Sequence, residues 1–504
     1  MSETSIPVYA PRDGRLLVEV PIFDAAQVAA AVARAREAQS RWIALPLRRR
    51  VALLERFAQC LAQERERLTD TVCAETGKPR AEGYAEVLSA IEAIRFYAAV
   101  APKHLKDRAV STGWIRGKSA HVYHEPFGVV GAITPWNYPL TLTLDAVLAA
   151  MFAGNAVVVK PSEFTPLSTL ILPELFESVG IPAGLLQVVT GDASTGAALV
   201  SSGVDKLVFT GSSATGRKVM AAAAEHLVPV VLELGGKDPA IVLADADLDR
   251  AAQGIVFGAM FNAGQTCIST ERVFVEASVH DALVERLEAT LAKLRWGRDA
   301  EVDVGPLVTG AQRSIVVEQI REALEQGAQA RTGGLPQSDT DVVAPTLLTG
   351  VTEQMKVMQD ETFGPLLPVM PVADEDEAIA RANGLEYGLF ASVWTRDLER
   401  GRRLALRLQA GGVSINDTLT HYAVAALPMG GVGASGFGRR RGLAGLDEMT
   451  RTRSVLVHHR GFRREPWWLP YSAAGTRLAE AIVVLRGHGW LRGLREAIAV
   501  YRGR

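Results

Sequence analysis

The sequence predicts an α/β protein with two doubly wound parallel-sheet domains, extended by a small β arm and a helical C-terminal tail. Three observations carry this. Short runs such as VVGAIT, AVVVK, LLQVV, KLVFT and VPVVLEL, between Val129 and Leu234, are apolar almost throughout rather than alternating, as strands covered on both faces are. Helical stretches such as Pro166–Gly180 separate them, the rhythm of parallel strands joined by crossover helices. A second block of the same kind runs from Asp238 to about Gly430, with strands near PAIVL, ERVFVE, FGPLLPVM and ASVWT, and 504 residues exceed what one core spans.

Taken in order, residues 24–111 read as helical. Asp24 is placed to cap the first helix, and Gly77 followed by Pro79 marks a stop. Ser119–Gly128 reads as a strand, an edge hairpin on local grounds, and Ser454–His458 as a closing strand. No internal repeat or low-complexity tract interrupts the chain. The formal net charge of −2 implies no general attraction to nucleic acid. Three cysteines argue for a reducing compartment without disulfides. Cys60 and Cys73 lie in helical stretches and read as structural. The N-terminus lacks a signal-peptide layout and no run approaches a membrane span, so a soluble, cytoplasmic protein is expected. No metal site is expected: His121 with His124, and His458 with His459, would point to opposite faces of a strand.

The chemistry centres on FNAGQTCIST, Phe261–Thr270. Cys267 stands among Gly264, Gln265, Thr266 and Ser269, where a packing cysteine would have apolar neighbours. Small neighbours leave room for an electrophile to reach a nucleophilic thiolate. In VLELGGKDP, Glu233 is followed by Gly235, Gly236 and Lys237, and a carboxylate on a glycine-flanked turn suits a general base. Lys237 could be read as a Schiff-base lysine, but with a cysteine present a structural role is preferred. The six-residue loop Gly211–Gly216 (GSSATG) follows a strand and opens a helix, whose free N–H groups suit a pyrophosphate.

With PWNYP (Pro135–Pro139), KPSE (Lys160–Glu163), FTGSSATG (Phe209–Gly216), LELGGK, GQTC and ETFGP (Glu361–Pro365) in one order, the chain resembles the aldehyde dehydrogenase superfamily from about Ile22 to about Val457. The resemblance implies a dinucleotide-binding domain at 1–112 and 127–235, a catalytic domain at 236–433, and an oligomerisation arm at 113–126 and 448–459. It implies Cys267 as nucleophile, Glu233 as the base that activates the deacylating water, and Asn137 as oxyanion donor beside the Cys267 backbone N–H. It also implies a nicotinamide cofactor held by Thr134, Pro135, Trp136, Lys160, Glu163, Gly211, Ser212, Gly216 and Glu361. Glu163, facing the adenosine ribose, favours NAD, with NADP possible. A homodimer or homotetramer is implied. His421 and Tyr422 resemble the branch that takes fatty and aromatic aldehydes.

Most relatives stop near His458; this chain continues through 460–504. That tail holds nine Arg, no Lys and three Glu, with Trp467, Trp468 and Trp490. Its last segment places Leu491, Leu494, Ile498 and Tyr501 on one helical face and Arg492, Arg495, Glu496 and Arg502 on the other. Such a helix suits a membrane interface, or packing on a neighbouring subunit over its substrate tunnel. The expected activity is oxidation of a hydrophobic aldehyde, aliphatic or aromatic, to the carboxylic acid. The rivals are a CoA-acylating enzyme, which the presence of Glu233 opposes; a succinate-semialdehyde enzyme, for which Arg272 would have to hold the second carboxylate; and a catalytically silent binding protein.

Overall fold

The computed structural model describes residues 5–336, 342–460, 465, 467–487 and 490–502; the side chains of Trp490, Leu491 and Arg492 lie outside the described residues. The chain opens with a hairpin, Ser5–Tyr9 against Leu16–Pro21, which the sequence reading did not anticipate. Four helices follow between Ala25 and His104. The first starts at Asp24, whose carboxylate accepts from Gln27 N at 2.8 Å while the Gln27 side chain answers the Asp24 N–H. The third ends at Gly77, at φ +75, before Pro79 opens the next. The stretch read as helical to 111 in fact ends in a short strand, Arg108–Val110. It forms only because Lys118–Pro126 lies alongside, a long-range cause that local pattern does not carry.

A six-stranded sheet follows, in the order Gly436–Phe437, Val230–Glu233, Lys206–Thr210, Val129–Ile133, Ala156–Lys160, Leu186–Val188. Only the Gly436–Phe437 strand is antiparallel. The chain winds outward from Val129–Ile133 in one direction and then returns to its other side, so the order reverses at that strand. Ligand crevices open beyond the carboxyl ends at such a reversal. Register lines up the strand ends there: Ile133 pairs with Lys160 on one side and Phe209 on the other, and Thr210 pairs with Glu233.

The second sheet has seven strands: Gln329–Thr332, Thr346–Thr349, Leu366–Val372, Thr270–Glu276, Asp238–Val242, Phe390–Trp394 and Gly412–Ile415. All are parallel except the first. Each large sheet has its own apolar core, one holding Trp42, Phe57 and Phe152, the other Phe274 and Trp394. The turn 234–237 carries the chain from the carboxyl end of one sheet to the amino end of the other, and Cys267 lies three residues before Thr270 begins its strand. Topology thus brings Glu233 and Cys267 to one place.

By compactness the chain divides differently from the sequence expectation. Both large sheets fall in one unit, Met1–Leu105 with Glu125–Arg451. Hydrogen bonds such as Asn137 Nδ2 to Gln265 O and Asn262 N to Glu82 knit the two expected domains together. The second unit, Lys106–His124 with Thr452–Arg504, joins the arm to the tail. It carries most of a three-stranded sheet ordered Thr450–His458, Lys118–Pro126, Arg108–Val110, and two helices, Ala473–Gly487 and Trp490–Tyr501. Gly493 lies so close to Leu485 that a Cβ there would meet the Leu485 carbonyl oxygen at 2.9 Å, and Ala481 and Ala497 are buried, so small residues let the helices pack tightly.

Candidate active site

Cys267 is half-buried and lines a cavity of about 290 Å³. The walls are apolar or aromatic at Leu142, Phe257, Phe261, Ile268, Leu419 and Tyr422. Burial raises the thiol well above its ordinary value, and the carboxylates of Glu233, Asp238 and Glu361 push the same way; the Ile268 N–H pulls it back. These effects favour the neutral thiol over the thiolate that would act as nucleophile.

Glu233 ends its strand buried, and its Oε1 has no hydrogen-bond partner among the described residues. Burial pushes its carboxyl up to about 7, with Arg440 and Arg439 opposing. A carboxyl that exchanges its proton near neutrality is suited to general-base work. Arg440 is itself held by Thr210 Oγ1 and Leu142 O, both at 2.6 Å.

Asn137 is buried. Its Nδ2 donates to Gln265 O at 2.9 Å, and its carbonyl accepts from Lys78 Nζ at 2.8 Å and Asn262 Nδ2 at 3.0 Å. One amide N–H is thereby fixed to the cysteine loop and the second is left to donate. Around it stands a polar support that the sequence reading missed. Lys78 pairs with Glu86 at 2.6 Å with both side chains buried, and lies 4.2 Å from the Tyr138 ring centre. Glu86 accepts from the Leu140 and Thr141 N–H groups at the start of helix Pro139–Ala153. Tyr138 Oη meets Thr266 Oγ1 at 2.6 Å, next to Cys267. The signal available in sequence was Tyr138 itself, inside PWNYP.

Lys237 Nζ is taken by Glu271 and Thr362 Oγ1, both at 2.8 Å, which fits the structural role expected of it. Arg272 does not face the cavity: it donates to the carbonyls of Lys237, Arg381 and Ala382. Tyr422 lines the cavity, and its hydroxyl is held from outside. It donates to Asp145, and the Arg441 guanidinium lies 4.2 Å from its ring centre. Asp145 is the lone charge in helix Pro139–Ala153, which is buried all round, and that was its legible signal. His421 packs edge-on against Phe390, with ring centres 5.2 Å apart, and does not line the cavity.

The strand ends at the reversal fit a dinucleotide. Lys160 Nζ and Glu163 Oε2 form a 3.1 Å pair beyond the end of their strand, with Glu163 partly open to solvent. Helix Ser213–Glu225 begins just past the end of strand Lys206–Thr210, Ser212 capping it through Thr215 N, with Ala214 and Thr215 of its first turn exposed. Gly216 is needed because a Cβ there would meet Leu234 Cδ2 at 2.5 Å. Glu361 accepts from Gly236 N at 3.1 Å; burial and Glu271 hold its carboxyl above the ordinary range. Trp136 packs edge-on against Phe363 at 5.3 Å. Thr134 is tied into the strand ends by its N–H to Lys160 O, and Pro135 follows it.

Comparison with known proteins identifies the family. Residues 1–455 match the aldehyde dehydrogenase family. The 4,4'-diapolycopene aldehyde oxidase of a Methylomonas species is 42% identical, covering 94% of this chain and 89% of that protein. A Mycolicibacterium smegmatis protein named provisionally as a succinate-semialdehyde dehydrogenase [NADP(+)] is 40% identical over 90% of this chain and 89% of its own. Among solved structures, betaine aldehyde dehydrogenase from Staphylococcus aureus in complex with NAD+ superposes with a TM-score of 0.87 at 30% identity, covering 92% of this chain and 93% of that one. With a family match over residues 1–455 and relatives of 40% identity or more, the chain belongs to the aldehyde dehydrogenase family, and it is an NAD(P)-dependent oxidoreductase.

Proposed function

We propose that this enzyme oxidises a hydrophobic aldehyde to its carboxylic acid, with Cys267, Glu233 and Asn137 as the catalytic residues. The observation that carries the substrate class is the wall around Cys267, which is mainly apolar and aromatic and, among the described residues, includes no arginine. Glu86 is the one charged residue among the lining residues, and Lys78 neutralises it. A second carboxylate on the substrate would lose its hydration there without a cationic partner.

In the reaction, the Cys267 thiol gives its proton to a base and its sulfur attacks the aldehyde carbon. The carbonyl π pair moves onto oxygen, where the free Asn137 N–H and the Cys267 backbone N–H stabilise it. When bound, the dinucleotide supplies the acceptor for the hydride that leaves this carbon. The thioester on Cys267 then meets a water that Glu233 deprotonates; the C–S bond breaks, the acid departs and the thiol is restored. Lys160 and Glu163 would hold the adenosine ribose and helix Ser213–Glu225 the pyrophosphate through its N-terminal N–H groups. The Glu163 carboxylate repels a 2′-phosphate and so favours NAD.

The succinate-semialdehyde reading has the name of the Mycolicibacterium relative in its favour. An aldehyde series at fixed NAD decides between them. We expect kcat/KM to rise with alkyl or aryl size and to be poor for succinate semialdehyde. The reverse order would overturn the hydrophobic reading. A homodimer or homotetramer, paired through the arm sheet, completes the proposal, and light scattering of the purified chain tests it.

A further inference from the structure

The net charge of −2 conceals a division. The second compact unit, Lys106–His124 with Thr452–Arg504, contains fourteen Lys and Arg against four Asp and Glu, a net of +10, which leaves −12 on the remainder of the chain. One of the four acids is already neutralised within the unit, since Glu465 is buried in an ion pair with Lys118 at 2.6 Å. Arg116, Arg477, Arg486, Arg495 and Arg502 are exposed.

The same unit exposes large apolar side chains. Trp114 packs edge-on against Trp467, ring centres 5.7 Å apart, and both remain more than 40% exposed. Beside Trp467 in sequence, Trp468, Leu469 and Tyr471 are also exposed. On the last helix, Leu494, Ile498 and Tyr501 recur at four and three residues, all exposed, while Gly493 and Ala497 face the partner helix. Tryptophans, an exposed apolar stripe and flanking arginines are what the boundary of an anionic bilayer receives: rings at headgroup depth, apolar side chains below them, guanidinium groups among phosphates.

We propose that this unit docks peripherally on an anionic lipid surface. The two helices, of 15 and 12 residues, fall short of the ~20 needed to span a bilayer, and among the described residues no helix is long and apolar enough to cross one. The occupant is lipid rather than a second copy of this face, because two copies would bring two +10 surfaces together.

The test is co-sedimentation of the full chain with vesicles of phosphatidylcholine alone or mixed equally with phosphatidylglycerol. Binding is expected to the mixed vesicles, weak binding to the neutral ones, and release at about 1 M salt, where screening shortens to roughly 3 Å. The double reversal Arg477→Glu with Arg495→Glu should lower the partition coefficient by at least about twenty-fivefold, each basic side chain near such a surface contributing about fivefold. Trp468→Ser should weaken binding without changing its salt dependence. All variants should keep wild-type turnover of a short, water-soluble aldehyde, which shows that they are folded. Failure of the full chain to bind anionic vesicles, equal binding to neutral ones, or variants that change the oligomeric mass but not the partition coefficient would each overturn the proposal.

Discussion

Burial acts alike on the two residues proposed as nucleophile and base, raising both Cys267 and Glu233. The thiol is quiet until a proton is removed, and the carboxyl titrates close to neutrality. Cys267→Ala should abolish turnover while leaving dinucleotide affinity within a few-fold, as fluorescence titration would show; steady NADH production by the variant would remove the assignment. Glu233→Gln should slow deacylation, leaving a burst of about one NADH per site and a trapped thioester. Where deacylation limits the wild type, its rate should rise as pH climbs through about 7 and the variant should lack that rise. Stability moves the other way. A carboxyl raised in the fold binds its proton more tightly than in the unfolded chain, so its contribution is full below about 4.5 and is lost as pH rises through about 7. Glu233→Gln should therefore raise the melting temperature by a few degrees at pH 8 and scarcely at pH 5, since the relief is at most about 3 kcal/mol. Glu163→Ala should shift the ratio of NAD to NADP efficiencies towards NADP; an unchanged ratio would mean that the ribose is read elsewhere.

At the scale of elements, the cysteine loop is braced by backbone as much as by side chains. Gly264 adopts φ +73, and a Cβ there would run into the Gly364 carbonyl. Gly264→Ala thus meets strain and a clash together and should destabilise by about 2–4 kcal/mol, measurable by denaturant unfolding. Gly310→Ala, with open space around it, is the control. Much here was legible locally. Asp24, Gly77, the apolar strands and the unusual neighbours of Cys267 each announce themselves within a few residues. Other features could not be read that way. Asp145, Tyr422 and Arg441 come from three distant segments and meet only in the fold. Lys78, Glu82 and Glu86 carry no local signal, yet all three are buried and reach Asn137, Asn262 and helix Pro139–Ala153. The arm strand Arg108–Val110 is a strand only by virtue of its neighbour.

At the scale of the whole molecule, the residues proposed as catalytic all lie in the first compact unit and the basic, aromatic surface in the second. A chain ending at Arg460 should accordingly keep its kcat/KM for short aldehydes within a few-fold while losing retention on anionic vesicles; a collapse of both would tie the tail to catalysis. The division into +10 and −12 also has a consequence at the bench. A protein whose charge is sorted this way does not behave as its isoelectric point of about 6.5 suggests. Near neutral pH it should be retained by cation and anion exchangers alike. In dilute buffer, the basic part of one molecule should attract the acidic part of the next, head to tail and without closure. Turbidity on dialysis into low salt, cleared by adding salt, is the behaviour to expect, so moderate ionic strength belongs in every purification and storage buffer.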